Sequence, residues 1–294
     1  MKGKNILVAF AVVAFALLTS CQQNKTSGEF TTQTFSASDS LPGAVTEVEI
    51  DYPTGGPQVL VDSIRAWIIQ LQSEGYTGDV ADGQAFVNFV HKQSSDALVD
   101  AFNEMRADIE VDESDPEADG MFNIPNEDRT SLKLEWQNDD FVTYGYTFFL
   151  YNSGAAHGIE GSYGTTFFKK DGTRLTWADV RGADTEEFQA ILREGLKAYL
   201  EVETDEELAD IVFLPEGNDI YHIPLPNTDP CVREGGIEFY YGEYEVASYS
   251  CGTPSFVVPF DRIHPFMSER VMRILDTYPE SPSQDITTGR TEMF

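Results

Sequence analysis

The chain predicts an α+β fold in two parts, with antiparallel sheets each packed by helices. Three observations lead there. Its 294 residues exceed the length at which one hydrophobic core usually suffices. Alternating, aromatic-rich runs at 132–136, 141–151 and 163–168 read as strands joined in hairpins. Apolar residues at three- and four-residue spacing, before and after those runs, read as amphipathic helices. A hydrophobic content of 41% and an aromatic content of 12% can fill sizeable cores, which excludes a chain disordered throughout.

The first residues set the compartment. Lys2 and Lys4 precede an apolar run at 6–18, and Leu18-Thr19-Ser20-Cys21 follows. A charged start, a short apolar core and small residues before a cut site make a secretory signal over 1–20. The tetrapeptide resembles a bacterial lipobox, in which Cys21 is lipidated and becomes the mature N-terminus. The run is too short for a membrane span. Lipid chains on Cys21 would instead anchor the protein, each buried CH₂ contributing roughly 0.8 kcal/mol. Residues 21–40 are expected to be a tether, with a possible first strand at 30–35. The protein is expected to be exported and lipid-anchored to the bacterial membrane, periplasmic or at the cell surface.

The body divides into an N-terminal part, 41–157, and a C-terminal part, 158–280. In the first, Val48, Ile50 and Tyr52 alternate on one strand face. Leu60, Ile64, Trp67, Ile68 and Leu71 then mark a helix, which Gly75 ends. A second helix from about Asp82 carries Phe86, Phe89, Val90, Leu98, Phe102 and Met105, a stripe expected to be core. The acidic run 108–120 reads as a solvated loop. Counted as a calcium loop from Asp108, it puts Glu113 where an EF-hand needs glycine and Pro116 at a ligand position. Asn138-Asp139-Asp140 turns the hairpin between 132–136 and 141–151.

In the second part, Asp171-Gly172 is a two-residue hairpin signal, because glycine tolerates positive φ. Asp184 and Thr204 begin two capping-box patterns, each followed three residues later by glutamate. Residues 220–225 read as a short strand and 237–249 as a long aromatic one, with a bulge at Gly242. Residues 255–260 pair after it, a helix carries Val271, Ile274 and Leu275, and 281–294 is expected to be a loose tail.

The charge narrows the partners. Formal net charge is −31, and removing 1–20 takes away Lys2 and Lys4 and no acid, leaving 17 basic and 50 acidic residues, or −33. Such a surface repels nucleic acid and anionic lipid and attracts cations and basic proteins. No cofactor motif is present. His91, His157, His222 and His264 are scattered without metal-ligand spacing, so no zinc site is expected. Gly161-Ser162-Tyr163-Gly164 lacks the first glycine of a nucleophile elbow. Glu234, Glu238, Glu243 and Glu245 could serve as paired carboxylates, though strand alternation also accounts for them. His157, between small residues in Ser153-Gly154-Ala155-Ala156-His157-Gly158, either braces a tight turn or meets a ligand. Tyr240, Tyr241, Tyr244 and Tyr249 are the aromatic candidates for ligand contact. Excluding Cys21, Cys231 and Cys251 are expected to form a disulfide, as two cysteines in an exported protein usually do. A nucleophilic Cys251 is the alternative.

The order of motifs resembles a known family. Glu49-Ile50-Asp51-Tyr52-Pro53 precedes an amphipathic helix, and Gly154-Ala155-Ala156-His157-Gly158 follows a hairpin. Asp171-Gly172-Thr173-Arg174-Leu175 precedes Trp177-Ala178-Asp179, and the aromatic run 237–249 leads to Gly252 and Val257-Val258-Pro259-Phe260. Together, over roughly 45–276, they resemble the paired domains of unknown function in RsiV-type anti-sigma factors and PdaC-type peptidoglycan deacetylases. The resemblance implies a two-part α+β fold. It also implies a lysozyme-binding role in the first group and a companion role to a separate catalytic domain in the second. No sigma-binding segment or deacetylase domain is recognisable here, so binding is the expected inherited property, and no catalytic residue carries over.

The expected function is therefore a cell-envelope lipoprotein with a non-catalytic body that binds lysozyme or another basic protein. The alternatives are a peptidoglycan or carbohydrate binder and a wall-glycan hydrolase. The anchor is directly testable. Mass spectrometry of the mature N-terminus is expected to show acylated Cys21, whereas a free Gln22 or an uncleaved Met1 would refute lipidation.

Overall fold

A computed structural model describes residues 28–73, 75–108, 124–215, 219–279 and 283–288. The expected signal segment, Cys21 and nearly all of the acidic run 108–120 lie outside these residues. The fold is α+β, with one five-stranded and one three-stranded sheet. The first sheet has the order β1 (Thr31–Leu41), β2 (Ala44–Gly55), β3 (Asn126–Gln137), β4 (Phe141–Tyr151), β5 (Ile159–Phe168). It is mixed and not purely antiparallel, because β2 and β3 run parallel. Parallel neighbours need a long crossover, and α1 (Gln58–Gln72) and α2 (Gly83–Asp108) supply it. β1 occupies the second half of the expected tether. β5 stays in this sheet, beyond residue 157 where the division between the parts is expected.

α1 and α2 cover one face of the sheet. Leu60, Ile64, Trp67 and Phe86 pack there on Ile50, Tyr52, Tyr144 and Phe167 to form the first core. The turn between β3 and β4 follows from Asn138, whose Oδ1 accepts from the N–H groups of Asp140 and Phe141 at 3.0 and 2.8 Å. After β5, Gly172 takes φ +69°, and Gly172 N–H bonds to the Phe168 carbonyl at 2.8 Å. The expected return strand shrinks to a single bridge between Phe167 and Arg174.

The second part holds α3 (Glu186–Leu200), α4 (Asp205–Ala209), β6 (Cys231–Arg233), β7 (Gly236–Tyr240), β8 (Ser255–Pro259), α5 (Phe260–Ile263) and α6 (Glu269–Leu275). Thr185, one residue after Asp184, caps α3, and Thr204 with Glu207 forms the expected box on α4. Residues 220–225 form no strand. The strand expected over 237–249 ends at Tyr240, and the chain then turns. Thr287, within the expected loose tail, bridges to Val257 on β8.

β4 and β5 belong to both cores. Val142, Tyr144 and Phe167 face α1, whereas Phe141 and Phe168 join Phe188, Leu192, Phe239 and Phe256 in the second core. Two fully buried threonines lie on that second face. Thr143 Oγ1 donates to the Val232 carbonyl, Val232 N–H donates to Thr166 Oγ1, and the two hydroxyls meet, all at 2.8 Å. Thr143 has spent its only proton on Val232, so Thr166 must donate to Thr143. The bonds close into a ring that satisfies both backbone groups of Val232.

β5 is also an edge strand, and its outer backbone groups are sealed piecemeal. Phe168 N–H bonds to the Thr173 carbonyl, and the Thr166 carbonyl accepts from Leu175 N–H. Ser162 N–H donates to Tyr240 Oη at 3.1 Å. Gly164 N–H points at the Cys231 thiol and Glu160 N–H at the Glu243 carboxylate. Gly164 is required there, since a Cβ would lie 2.3 Å from Cys231 Sγ.

The segment after β5 is fixed by buried Asp179. It accepts from Arg270 Nε at 2.7 Å, Arg270 Nη2 at 2.5 Å and Ser268 Oγ at 2.8 Å, and Arg270 lies over the Phe168 ring. Burial works against its charge, but the bonds from Arg270 and Ser268 prevail and hold its carboxyl below the usual range. Asp179 therefore stabilises the fold fully above the ordinary carboxylate pKa, and that contribution is lost as pH falls through the lowered value. Asp179→Asn is expected to cost about 1.5–3 kcal/mol at neutral pH, with the gap to wild type closing in acid, measured by urea unfolding across pH. Thr143→Val and Tyr240→Phe are each expected to cost about 1–3 kcal/mol in the same assay, because the first strands the buried Val232 carbonyl and the second the half-buried Ser162 N–H.

Candidate functional site

Two loops, one from each part, meet beside the sealed edge. The first joins β4 to β5. Buried Asn126 pins it, accepting from Ser153 N–H at 2.6 Å while its own amide donates to the Leu98 carbonyl at 2.9 Å. Gly158 then passes against the Phe149 ring, and His157 is left exposed with Nδ1 2.7 Å from the Gly158 carbonyl. The second loop follows β7. Glu245 ties it, accepting from Gly242 N–H at 2.7 Å and Asn227 N–H at 2.5 Å. Buried Val246 anchors it, its carbonyl accepting from Phe213 N–H at 2.7 Å. Between these fixed points Tyr244 adopts φ +59°, a left-handed conformation that is uncommon outside glycine and asparagine.

Three aromatic rings come together at this meeting. His157 stacks on Tyr249 with centroids 4.0 Å apart and planes 26° from parallel. Tyr244 lies 5.8 Å from Tyr249 at 28°, and its hydroxyl is 3.4 Å from His157 Nε2. Two carboxylates border the rings. Glu160 is the second residue of β5, and Glu243 precedes Tyr244. Glu243 Oε2 is buried with no hydrogen-bond partner among the described residues. Burial raises the Glu243 pKa. The Glu160 N–H offsets part of this, the Glu160 charge adds to it, and His157 opposes it. Burial also raises the Tyr249 pKa, with Glu243 and Glu160 adding to it.

The four candidate tyrosines divide two and two. Tyr244 and Tyr249 are 53% and 38% exposed, whereas Tyr240 and Tyr241 are 6% and 0% exposed. Tyr240 is therefore no surface contact. It caps β5 and packs on Tyr163, with centroids 6.1 Å apart. Tyr241 is likewise core, its hydroxyl donating to the Pro224 carbonyl at 2.9 Å. Neither side of the chain at the end of β7 is open to solvent, because Tyr240 docks on β5 and Tyr241 enters the second core. His157 is exposed on the ledge and stacks across the meeting of the loops; its turn is held by Asn126.

The remaining candidates are structural. Cys231 and Cys251 are both free thiols in this structure. Cys231 is buried 3.3 Å from Glu238, and burial pushes its thiol pKa well up, with Glu238 adding to the effect. Cys251 lies in a short turn with its sulfur 3.5 Å from Ser248 Oγ. The two thiols serve different contacts, one sealing β5 and one closing a turn. Glu238 pairs with Arg233 at 2.7 Å, and Arg233 also pairs with Glu135. Glu245 is spent on the loop. Of the four glutamates, Glu243 alone faces the rings. Glu160 is the member that sequence reasoning missed. Its only signal was its place at the start of a strand after the histidine turn. Among the described residues, no group of three or more potential ligands could hold a metal, and no helix is long and apolar enough to cross a membrane.

Comparison with known proteins places this architecture. No curated protein matches the chain. A crystal structure of a DUF3298 family member from Bacteroides fragilis NCTC 9343 is similar over 86% of this chain and 100% of its own, at 19% identity and TM-score 0.67. A DUF3298 family protein from Pseudomonas aeruginosa PAO1 is similar over 83% and 97%, at 16% identity and TM-score 0.48. The Bacteroides likeness shows a shared fold. Residues 182–261, which include Glu243, Tyr244 and Tyr249, match the family described as "Protein of unknown function (DUF3298)".

Proposed function

We propose that this chain is an exported cell-envelope lipoprotein, anchored through Cys21, whose body binds a basic protein such as lysozyme without transforming it. The observation that carries the reading is the ledge of His157, Tyr244 and Tyr249 bordered by Glu160 and Glu243. It presents aromatic faces and negative charge together on the outside of the molecule. Tyrosine is a favoured interface anchor, because it buries a large rigid area at little entropic cost. The net charge of −31 supplies long-range attraction for a cationic partner. The resemblance of the motif order to RsiV-type proteins supports lysozyme as the partner, and the resemblance of Leu18–Cys21 to a lipobox supports the anchor. A second reading, a peptidoglycan or carbohydrate binder, draws on the near-parallel Tyr244 and Tyr249 rings, which a sugar face could cover.

Titration calorimetry of the full chain with lysozyme, and with an unrelated protein of similar charge, separates these readings. Screening shortens from about 10 Å at 0.1 M salt to about 3 Å at 1 M. Lysozyme binding that persists at high salt while the unrelated protein's is lost is the expected result. Equal, salt-abolished binding of both overturns a specific site. Binding of peptidoglycan fragments in place of either protein favours the second reading.

A further inference from the structure

We propose that the chain forms a two-fold dimer through β1, whose open edge pairs antiparallel with the same edge of a second copy. The two-fold axis lies at Ser36.

The fold leaves this one long edge bare. A two-residue turn, Pro42-Gly43, puts Leu41 opposite Ala44, so the odd-numbered residues of β1 exchange their backbone bonds with β2. The N–H and carbonyl groups of Thr32, Thr34, Ser36, Ser38 and Ser40 therefore point away from the sheet. Among the described residues, two of these groups find a partner. The Ser36 carbonyl accepts from Gln84 Nε2 at a long 3.4 Å, and Ser40 N–H donates to Asp39 Oδ1 at 2.8 Å. The other edges are taken: β5 is sealed by Tyr240, β6 docks on Thr143 and Thr166, and β8 is bridged by Thr287. Proteins commonly blunt an exposed edge with proline, lysine or a bulge, and β1 has none of these from Thr32 to Leu41. Phe30, buried against Tyr144 of β4, turns the entry to β1 away from the edge.

The residues of β1 fit their own copy. With Ser36 opposite its counterpart, Thr34 faces the second copy's Ser38 and Thr32 its Ser40, so hydroxyl meets hydroxyl along one face. On the other face Phe35 meets Ala37 and Gln33 meets Asp39. Phe35 already packs edge-on against Tyr52, so the pairing extends the first core. The two Asp39 carboxylates stay about 20 Å apart. Charge favours the same place. In a chain of net charge −31, two copies repel each other least where charge is sparse. Asp39 is the one charged residue in the 11 of β1, and the part of α2 that reaches Ser36 is neutral, Gln84 bonding to Asn88 at 2.9 Å. A self-complementary edge also closes after two copies and leaves no strand open for a third.

Sedimentation of the full chain in mild detergent, across concentrations, tests the dimer. A reversible monomer–dimer equilibrium is expected, because one strand pair lies at the small end of specific interfaces. Ser38→Pro removes an outward N–H that the monomer does not use. It is expected to weaken dimerisation by about tenfold or more while the melting temperature of the monomer is kept. Cysteine pairing under mild oxidation tests the register, with the parent chain as control. Ser36→Cys is expected to give a covalent dimer, since opposed hydrogen-bonded residues stand about 5.5 Å apart at Cα, within disulfide reach. Ser38→Cys alone is expected to give none, its copies standing about 14 Å apart, whereas a mixture of Thr34→Cys and Ser38→Cys is expected to link. A monomer at every concentration overturns the proposal, as does a dimer that Ser38→Pro leaves unchanged. Equal linking of Ser36→Cys and Ser38→Cys overturns it as well. So does a chain that stays monomeric and takes up an unrelated extended peptide along β1.

Discussion

The ring of hydrogen bonds through Thr143, Thr166 and Val232 is the constraint on which the rest of the molecule depends. A two-part α+β body has to bring two cores together without leaving backbone groups dry and unpaired between them. Here both polar groups of Val232 turn toward the first sheet, where no strand is available to receive them. Two threonine hydroxyls, fully buried on neighbouring strands, take the place of a strand. Every donor in the ring has one acceptor, so its direction is determined and no proton is left unpaired. The penalty for breaking such a closed set is the desolvation of the group left over, which exceeds the worth of the bond in isolation. β4 and β5 can therefore serve two cores at once, with Tyr144 and Phe167 on one side and Phe141 and Phe168 on the other.

The ledge inherits its geometry from that seam. Its rings come from loops more than eighty residues apart in sequence, and their 4.0 Å approach requires the two parts to hold one relative position. Glu243 reaches the start of β5 because Tyr240 and Cys231 have already docked on the same edge. The edge-sealing residues and the residues of the ledge thus form one continuous row. Tyr240, buried and spent on Ser162, and Tyr244, exposed and turned outward, stand four residues apart with opposite duties.

Much of this was legible in the sequence wherever a local rule decides the outcome. The spacing of Leu60, Ile64, Trp67 and Ile68 marks the buried stripe of α1, and Thr204 with Glu207 forms its box as written. Asn138 turns the β3–β4 hairpin by its own side chain. What was not legible depends on partners distant in the chain. The parallel pairing of β2 with β3 spans the whole α1–α2 crossover, and nothing in either strand announces it. The run 237–249 alternates well enough to read as one strand, yet Glu245 bonds back to Gly242 and ends it. Tyr240 and Tyr241 read as surface residues and are buried, while His157, Tyr244 and Tyr249 are exposed and their rings come together. Thr143 and Thr166 look like ordinary strand threonines, because their role exists only once Val232 arrives. Cys231 and Cys251 flank the aromatic run, and their separate contacts with Glu238 and Ser248 are not readable from that spacing.

The sealed edge of β5 also sets an order of events as the chain is made. Ser162 waits for Tyr240, which lies 78 residues further along. Domains begin to fold from the N-terminus as synthesis proceeds, so the five-stranded sheet emerges before its cover. For the time needed to add those residues, β5 presents bare N–H and carbonyl groups to whatever strand is nearest, including that of another nascent chain. Its two glycines, Gly161 and Gly164, shape the final docking and give no protection meanwhile. A factor that shields extended backbone would protect this edge until Tyr240 arrives.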